Sequence, residues 1–166
     1  MKRIGLISDT HGFLDEQVFS CFSACDEIWH AGDWGATGLA ARLETTGKIL
    51  RGVYGNIDGS DIRSIYPEQL VFTCEEVKVM IRHIGGYPPV YNPVTRKELD
   101  RHKPRLFISG HSHILRIMYD EKRNCLYMNP GAAGKQGWHK VRTLVRFTID
   151  GSDIKDAEVI ELGVRG

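Results

Sequence analysis

The amino-acid sequence predicts an α/β protein in which two β-sheets pack face to face, with helices covering the outside. Three observations predict it. The first third of the chain alternates short, nearly continuous apolar runs with segments of helical periodicity, the pattern of parallel strands joined by crossover helices. From residue 69 onward the pattern changes to strand pairs joined by polar turns, which form antiparallel hairpins. No linker, repeat or low-complexity stretch interrupts the 166 residues, a length that suits one domain over residues 1–166 with a core large enough to need no staples.

KRIGLIS at 2–8 has the length and branched residues of a buried strand. It ends at Asp9-Thr10-His11-Gly12, and Asp15 is a helix cap before Val18, Phe19, Phe22 and Cys25, whose spacing predicts a helix over 15–25. EIWH at 27–30 is a second strand, followed by the turn Ala31-Gly32-Asp33-Trp34-Gly35. Leu39, Ala40 and Leu43 mark a helix over 36–45 that Gly47 closes. KILRGVY at 48–54 is a third strand, ended by Gly55-Asn56-Ile57-Asp58-Gly59. Strand, helix, strand, helix, strand means right-handed crossovers and parallel pairing.

Strands at 69–73 and 77–83 then form a hairpin around Cys74-Glu75-Glu76 and start a second sheet, with His83 at its end. YPPVYNP at 87–93 is a rigid turning loop, and 94–103 is a helix capped at Thr95 and halted before Pro104. A buried strand over 105–109 runs into Gly110-His111-Ser112-His113. Strands at 114–120 and 125–129 flank the charged turn Glu121-Lys122-Arg123-Asn124. After the small-residue loop 130–134, strands at 143–149 and 154–162 close a last hairpin around Asp150-Gly151.

Composition bounds the function. Hydrophobic residues make up 42% and charged residues 26%, with a net charge of +1. That balance is ordinary for a soluble globular protein and lacks the concentrated positive field that nucleic-acid or membrane-surface binding uses. The expected partner is therefore a small molecule, with no nucleic acid and no membrane; a homo-oligomer stays open. Cys21, Cys25, Cys74 and Cys125 show no C-x-x-C and no zinc-ribbon spacing. No charged-then-apolar leader precedes the first strand, and no apolar run nears the roughly 20 residues of a membrane helix. The expected location is the cytoplasm, with thiols reduced.

Polar groups recur just past strand ends, where open α/β sheets place their ligands. An isolated H-x-H such as His111 and His113 is as often a pair of surface histidines in a turn as a pair of ligands. Here it is repeated by Asp9 with His11, then by Asp33, Asn56 and His83. These seven oxygen and nitrogen donors are too many for one tetrahedral zinc but suit two adjacent divalent ions bridged by a carboxylate. Imidazole, carboxylate and amide without thiolate favour manganese first, with iron, zinc, nickel or magnesium as alternatives. His30 reads as a core or supporting residue, His102 as a solvated helix end, His139 as an exposed loop residue, and Trp34 as either packing or a wall of the site.

DTHG at 9–12, GD at 32–33, GN at 55–56, the lone His83, GHSH at 110–113 and NPG at 129–131 together resemble the calcineurin-like metallophosphoesterases. The small YfcE-type phosphodiesterases are especially similar, as is the Vps29 scaffold that shares their fold. The resemblance implies the four-layer α-β-β-α metallophosphoesterase fold. It implies a first metal held by Asp9, His11 and His113 and a second by Asn56, His83 and His111, with Asp33 bridging. The implied reaction is hydrolysis of a small phosphodiester by a water or hydroxide between the two metals. Asp33, Asn56 and His111 are the residues placed closest to the chemistry.

The chain departs from the family pattern where many members read GNH, because Ile57 stands in the histidine's place and cannot move a proton. It also reads HIG at 83–85 and NPGA at 129–132. Two other functions compete: a Vps29-like scaffold with a vestigial metal pocket, and a nuclease, which the short chain and near-neutral charge disfavour.

Overall fold

The computed structural model describes residues 1–166. Its first sheet has the order β12-β11-β1-β2-β3 and its second the order β4-β5-β8-β10-β9. In the first, β1 (Lys2–Ile7), β2 (Glu27–His30) and β3 (Ile49–Gly52) are parallel neighbours, as the crossover pattern requires. The hairpin β11 (Val141–Asp150) and β12 (Asp153–Val164) joins the other side of β1 in antiparallel pairing. The second sheet holds β4 (Gln69–Cys74), β5 (Val77–Arg82), β8 (Leu106–Ile108), β9 (Arg116–Asp120) and β10 (Cys125–Asn129).

Alternation along the strands makes the layers. Ile4 and Leu6 of β1, Val79 and Ile81 of β5, Leu106 and Ile108 of β8, and Phe147 and Ile149 of β11 fill the space between the sheets. Ile7 and Ile28 face the other way, against Val18 and Phe22 and against Leu39 and Leu43 of α2 (Thr37–Glu44). On the far side, Met80 and Phe107 pack with Leu99 of α4 (Pro93–His102). The result is a two-sheet sandwich with helices on both outer faces, and no helix is long and apolar enough to cross a membrane.

Several local expectations are corrected. The helix expected over 15–25 forms only as α1 (Gln17–Cys21). The hydroxyls of Ser20 and Ser23 donate to carbonyls three residues earlier, which suits tight turns better than a continued helix. Asp15 does accept the Gln17 N–H at 2.9 Å. The cap of α4 is Asn92, whose side chain accepts the Thr95 N–H at 2.8 Å with Pro93 in the first turn; Thr95 is the donor, not the cap. The loop at 87–93 contains a small ladder of β6 (Gly86–Tyr87) and β7 (Val90–Tyr91), and α3 (Ser60–Arg63) is a further short helix. Strands β3, β8 and β9 are two to three residues shorter than the apolar runs suggest. All four cysteines are free thiols.

Candidate metal centre

Five loops leave β1, β2, β3, β5 and β8 at one edge of the sandwich and bring all seven strand-end groups together. Asp9, His11 and His113 form one trio of mutually close donor atoms, and Asp33, His83 and His111 form another. The oxygen Asp33 Oδ2 lies between them, 3.4 Å from His11 Nε2 and 3.2 Å from His83 Nε2. Asp9 Oδ1 is 3.2 Å from His113 Nε2, 3.8 Å from His83 Nε2 and 3.9 Å from His11 Nε2. Asn56 joins the second trio through its Oδ1, 2.9 Å from His111 Nδ1.

The backbone reaches this arrangement at a cost. Asp9, His11, Asp33, His111 and His113 all have positive φ, between 47° and 69°. His111 and His113 therefore converge through left-handed turns and not through an extended segment. Such conformations cost side-chain-bearing residues on the order of 1 kcal/mol each and cluster at functional sites. Glycines supply the close approaches: a Cβ at Gly55 would sit 2.0 Å from Asp33 Oδ1, and one at Gly110 would sit 2.3 Å from Ser8 Oγ. GN and GH are thus packing requirements of the centre.

The supporting bonds leave particular atoms free. Asp9 Oδ2 accepts from Ser8 Oγ at 2.7 Å and from the His111 N–H at 3.1 Å. His83 donates through Nδ1 to Ala31 O at 2.7 Å, so its Nε2 presents a lone pair to the centre. Asp33 Oδ1 accepts the Ile57 N–H at 3.0 Å. What remains is three buried polar atoms without hydrogen-bond partners, Asp9 Oδ1, His11 Nε2 and His83 Nε2, all turned toward one another. Buried atoms of this kind are rare in proteins, and this oxygen and nitrogen set fits first-row divalent cations.

The electrostatics follow. The Asp33 carboxylate beside it raises the His11 pKa, outweighing burial. Burial depresses the His83 pKa, yet the neighbouring Asp33 and Asp9 carboxylates outweigh it, leaving a net rise. Burial favours protonation of Asp33, but the neighbouring His11 and His83 imidazoles hold its carboxyl far below the usual carboxylate range. Burial and then the neighbouring His83 lower His111.

The other sequence candidates stand outside this set of donors. His30 is fully buried; its Nδ1 accepts the Gly32 N–H at 3.1 Å, so Nε2 donates to Thr10 Oγ1 at 3.0 Å, whose hydroxyl donates to Trp34 O at 2.9 Å. It is a supporting residue, and burial drives its pKa down to about 3. Trp34 is buried, stacked between His30 and Tyr66, and belongs to the core. His102 pairs with Glu98 on α4, away from the centre. His139 donates through Nε2 to Gly134 O, 2.8 Å away, and its ring centroid is 5.1 Å from that of His113. Ile57, in contrast, presents a side chain that is 46% exposed.

Two residues to which the motifs assign no role support the centre. The Asp58 carboxylate accepts three backbone N–H groups, from Trp34 at 3.2 Å, Gly35 at 2.9 Å and Gly55 at 2.8 Å, tying the loops that carry Asp33 and Asn56. Its signal is a second acid two residues past GN. Asn129 of NPG donates to Gly110 O at 3.0 Å and Ser112 Oγ at 3.1 Å, bracing the GHSH loop.

The two packed sheets and the histidine–carboxylate cluster at their edge define a metallophosphoesterase architecture, and sequence comparison agrees. The calcineurin-like phosphoesterase superfamily domain matches residues 1–152, and the chain belongs to that superfamily. No curated protein matches it. Similar solved structures include a predicted phosphoesterase of Streptococcus pneumoniae, 23% identical over 96% of this chain and 89% of that one, with a TM-score of 0.73. An archaeal phosphodiesterase is 20% identical over 95% and 99% of the two chains, with a TM-score of 0.76. Vps29 of Chaetomium thermophilum is 14% identical over 98% and 97%, with a TM-score of 0.77. At these identities the likeness is one of fold.

Proposed function

We propose that the protein is a metal-dependent phosphodiesterase that hydrolyses small phosphodiesters at a centre of two divalent ions, manganese first among the candidates. The observation that supports this most strongly is the set of three orphaned buried atoms, Asp9 Oδ1, His11 Nε2 and His83 Nε2. Asp9, His11 and His113 would hold one ion and Asn56, His83 and His111 the other, with Asp33 Oδ2 shared. Bound there, the ions supply hydroxide at neutral pH and offset charge that develops on the phosphoryl oxygens.

The chain's own residues determine the rest. Ser8 and the His111 N–H hold Asp9 with one oxygen facing inward, and Ala31 fixes the His83 tautomer. The Asn56 amide is exposed at the rim, where it can orient a phosphoryl oxygen. Ile57 offers no proton, so esters whose leaving oxygen needs none are favoured. The net charge of +1 supports a small substrate over a polyanion.

A scaffold role like that of Vps29 is favoured by one feature, the exposed apolar side chains Ile57, Ile84 and Trp138 beside the centre, the last 98% exposed. Hydrolysis of bis(4-nitrophenyl) phosphate separates the two readings. The phosphodiesterase reading expects turnover with added manganese that chelation abolishes; no turnover with any of manganese, iron, zinc, nickel or magnesium would leave the scaffold.

A further inference from the structure

A cavity of about 210 Å³ opens directly off the second trio, walled by Tyr54, Asn56, Arg63, Glu68, Arg82 and His83. Asn56 and His83 belong to the centre as well, so one arm of an ester bound there leads straight into this cavity. The charges in it are unequally satisfied. Arg82 is paired with Glu68 at 3.0 Å and with Gln69 at 3.2 Å, and Tyr54 donates its hydroxyl to the other Glu68 oxygen at 3.3 Å. The acid is therefore already shared by two donors.

Arg63 has no such partner. Its Nε donates to Asp58 O at 2.7 Å, its Nη2 reaches Asn56 O at 3.5 Å, and its guanidinium lies 4.4 Å from the centroid of the Tyr54 ring. None of these is an anion. The Nε bond and the ring fix the plane of the guanidinium, so its remaining N–H donors form a positioned fork that suits carboxylate or phosphate oxygens. The cavity is smaller than the roughly 300–1,000 Å³ of pockets that enclose drug-sized ligands, which limits the occupant to a short chain.

We infer that this cavity is a substrate subsite, and that the preferred phosphodiester carries on one short arm a second anionic group, carboxylate or phosphate, which Arg63 binds. The inference rests on the phosphodiesterase reading and narrows its substrate class. Tyr54 and the Glu68–Arg82 pair hold the shape of the cavity, and Arg63 supplies the selectivity.

The test uses 4-nitrophenyl phosphodiesters that share one leaving group and differ in the second arm: ethyl, 2-carboxyethyl, 2-phosphoethyl and 2-trimethylammonioethyl. For the manganese-loaded protein, KM for the better of the two anionic arms should be about 10- to 100-fold below that of the ethyl ester, the scale of a charge-assisted hydrogen-bond pair. Which anionic arm gains more identifies the group. Arg63→Gln should erase the difference between the anionic and ethyl arms, Arg63→Lys should restore part of it, and Arg101→Gln on α4 should change nothing. Equal KM values, a preference for the cationic arm, or a preference that survives Arg63→Gln would each overturn the inference.

Calorimetric binding of 2-carboxyethylphosphonate and ethylphosphonate supplies a readout that needs no turnover. The carboxylate should strengthen binding in the parent and not in Arg63→Gln; equal binding of the two phosphonates overturns the subsite. If no diester is hydrolysed yet this binding difference holds, the catalytic reading fails and the anion subsite stands.

Discussion

Replacing Asp58 by Ala should weaken both the fold and the metal centre, though Asp58 touches neither ion site directly. Its carboxylate, 4% exposed, accepts N–H groups of Trp34, Gly35 and Gly55 at 2.8 to 3.2 Å. The alanine leaves three backbone donors without their acceptor, two of them buried and one partly buried. Each such loss is worth about 1 kcal/mol or somewhat more, giving a destabilisation of about 3 to 4 kcal/mol. For a chain of this size that lowers Tm by about 6 to 16 °C. The assay is urea unfolding of the chelated protein, which isolates the fold, followed by manganese titration of the folded fraction. Because the same bonds hold the Asp33 loop against the Asn56 loop, metal affinity should fall about 10- to 100-fold, as it does when groups supporting metal ligands are lost. A change below about 0.5 kcal/mol with unaltered metal affinity would refute the reasoning.

Three further outcomes follow from the same geometry. Asp33→Asn should lower metal content below two per chain and reduce kcat/KM by at least about 10²- to 10³-fold, while His102→Ala should do neither, as read by elemental analysis and bis(4-nitrophenyl) phosphate hydrolysis. With metal chelated, stability should fall on acidification between pH 6.5 and about 3, because His30 stays neutral in the fold down to about 3 while the unfolded chain takes up its proton near 6.5. The slope from this residue is about 1.4 kcal/mol per pH unit, and a His30→Gln variant with the same pH dependence as the parent would contradict it. Rates should depend steeply on leaving-group pKa, and Ile57→His should flatten that dependence with gains up to about 10²- to 10⁴-fold for poor leaving groups; a flat series in the parent, free of binding limits, would mean that another acid acts.

The parts of the fold that are legible in the sequence are those set by burial on two faces. β8 is apolar throughout, and β1 and β5 are mostly so, because sheets and helices cover both sides, and their ends are marked by Gly or by polar residues. The seven strand-end donors stand out for the same reason: a buried strand followed at once by Asp, Asn or His is conspicuous. Less legible is whatever depends on local competition. The serine hydroxyls that shorten α1, and the choice of Asn92 over Thr95 as a cap, turn on single hydrogen bonds that periodicity does not register. Positive φ at Asp9, Asp33 and His113 is likewise invisible, since nothing about those residue types demands it. Asp58 escapes because an acid in a polar loop looks solvated until the three N–H groups around it are seen.

The proposed centre is one site for two ions, formed by the clustered donors with Asp33 between them. Elemental analysis of the protein, loaded with manganese and freed of excess ion by gel filtration, tests this most directly. Two manganese ions per chain are expected in the parent and fewer than two in Asp33→Asn. One ion or none in the parent, or two retained in the Asn variant, would contradict it.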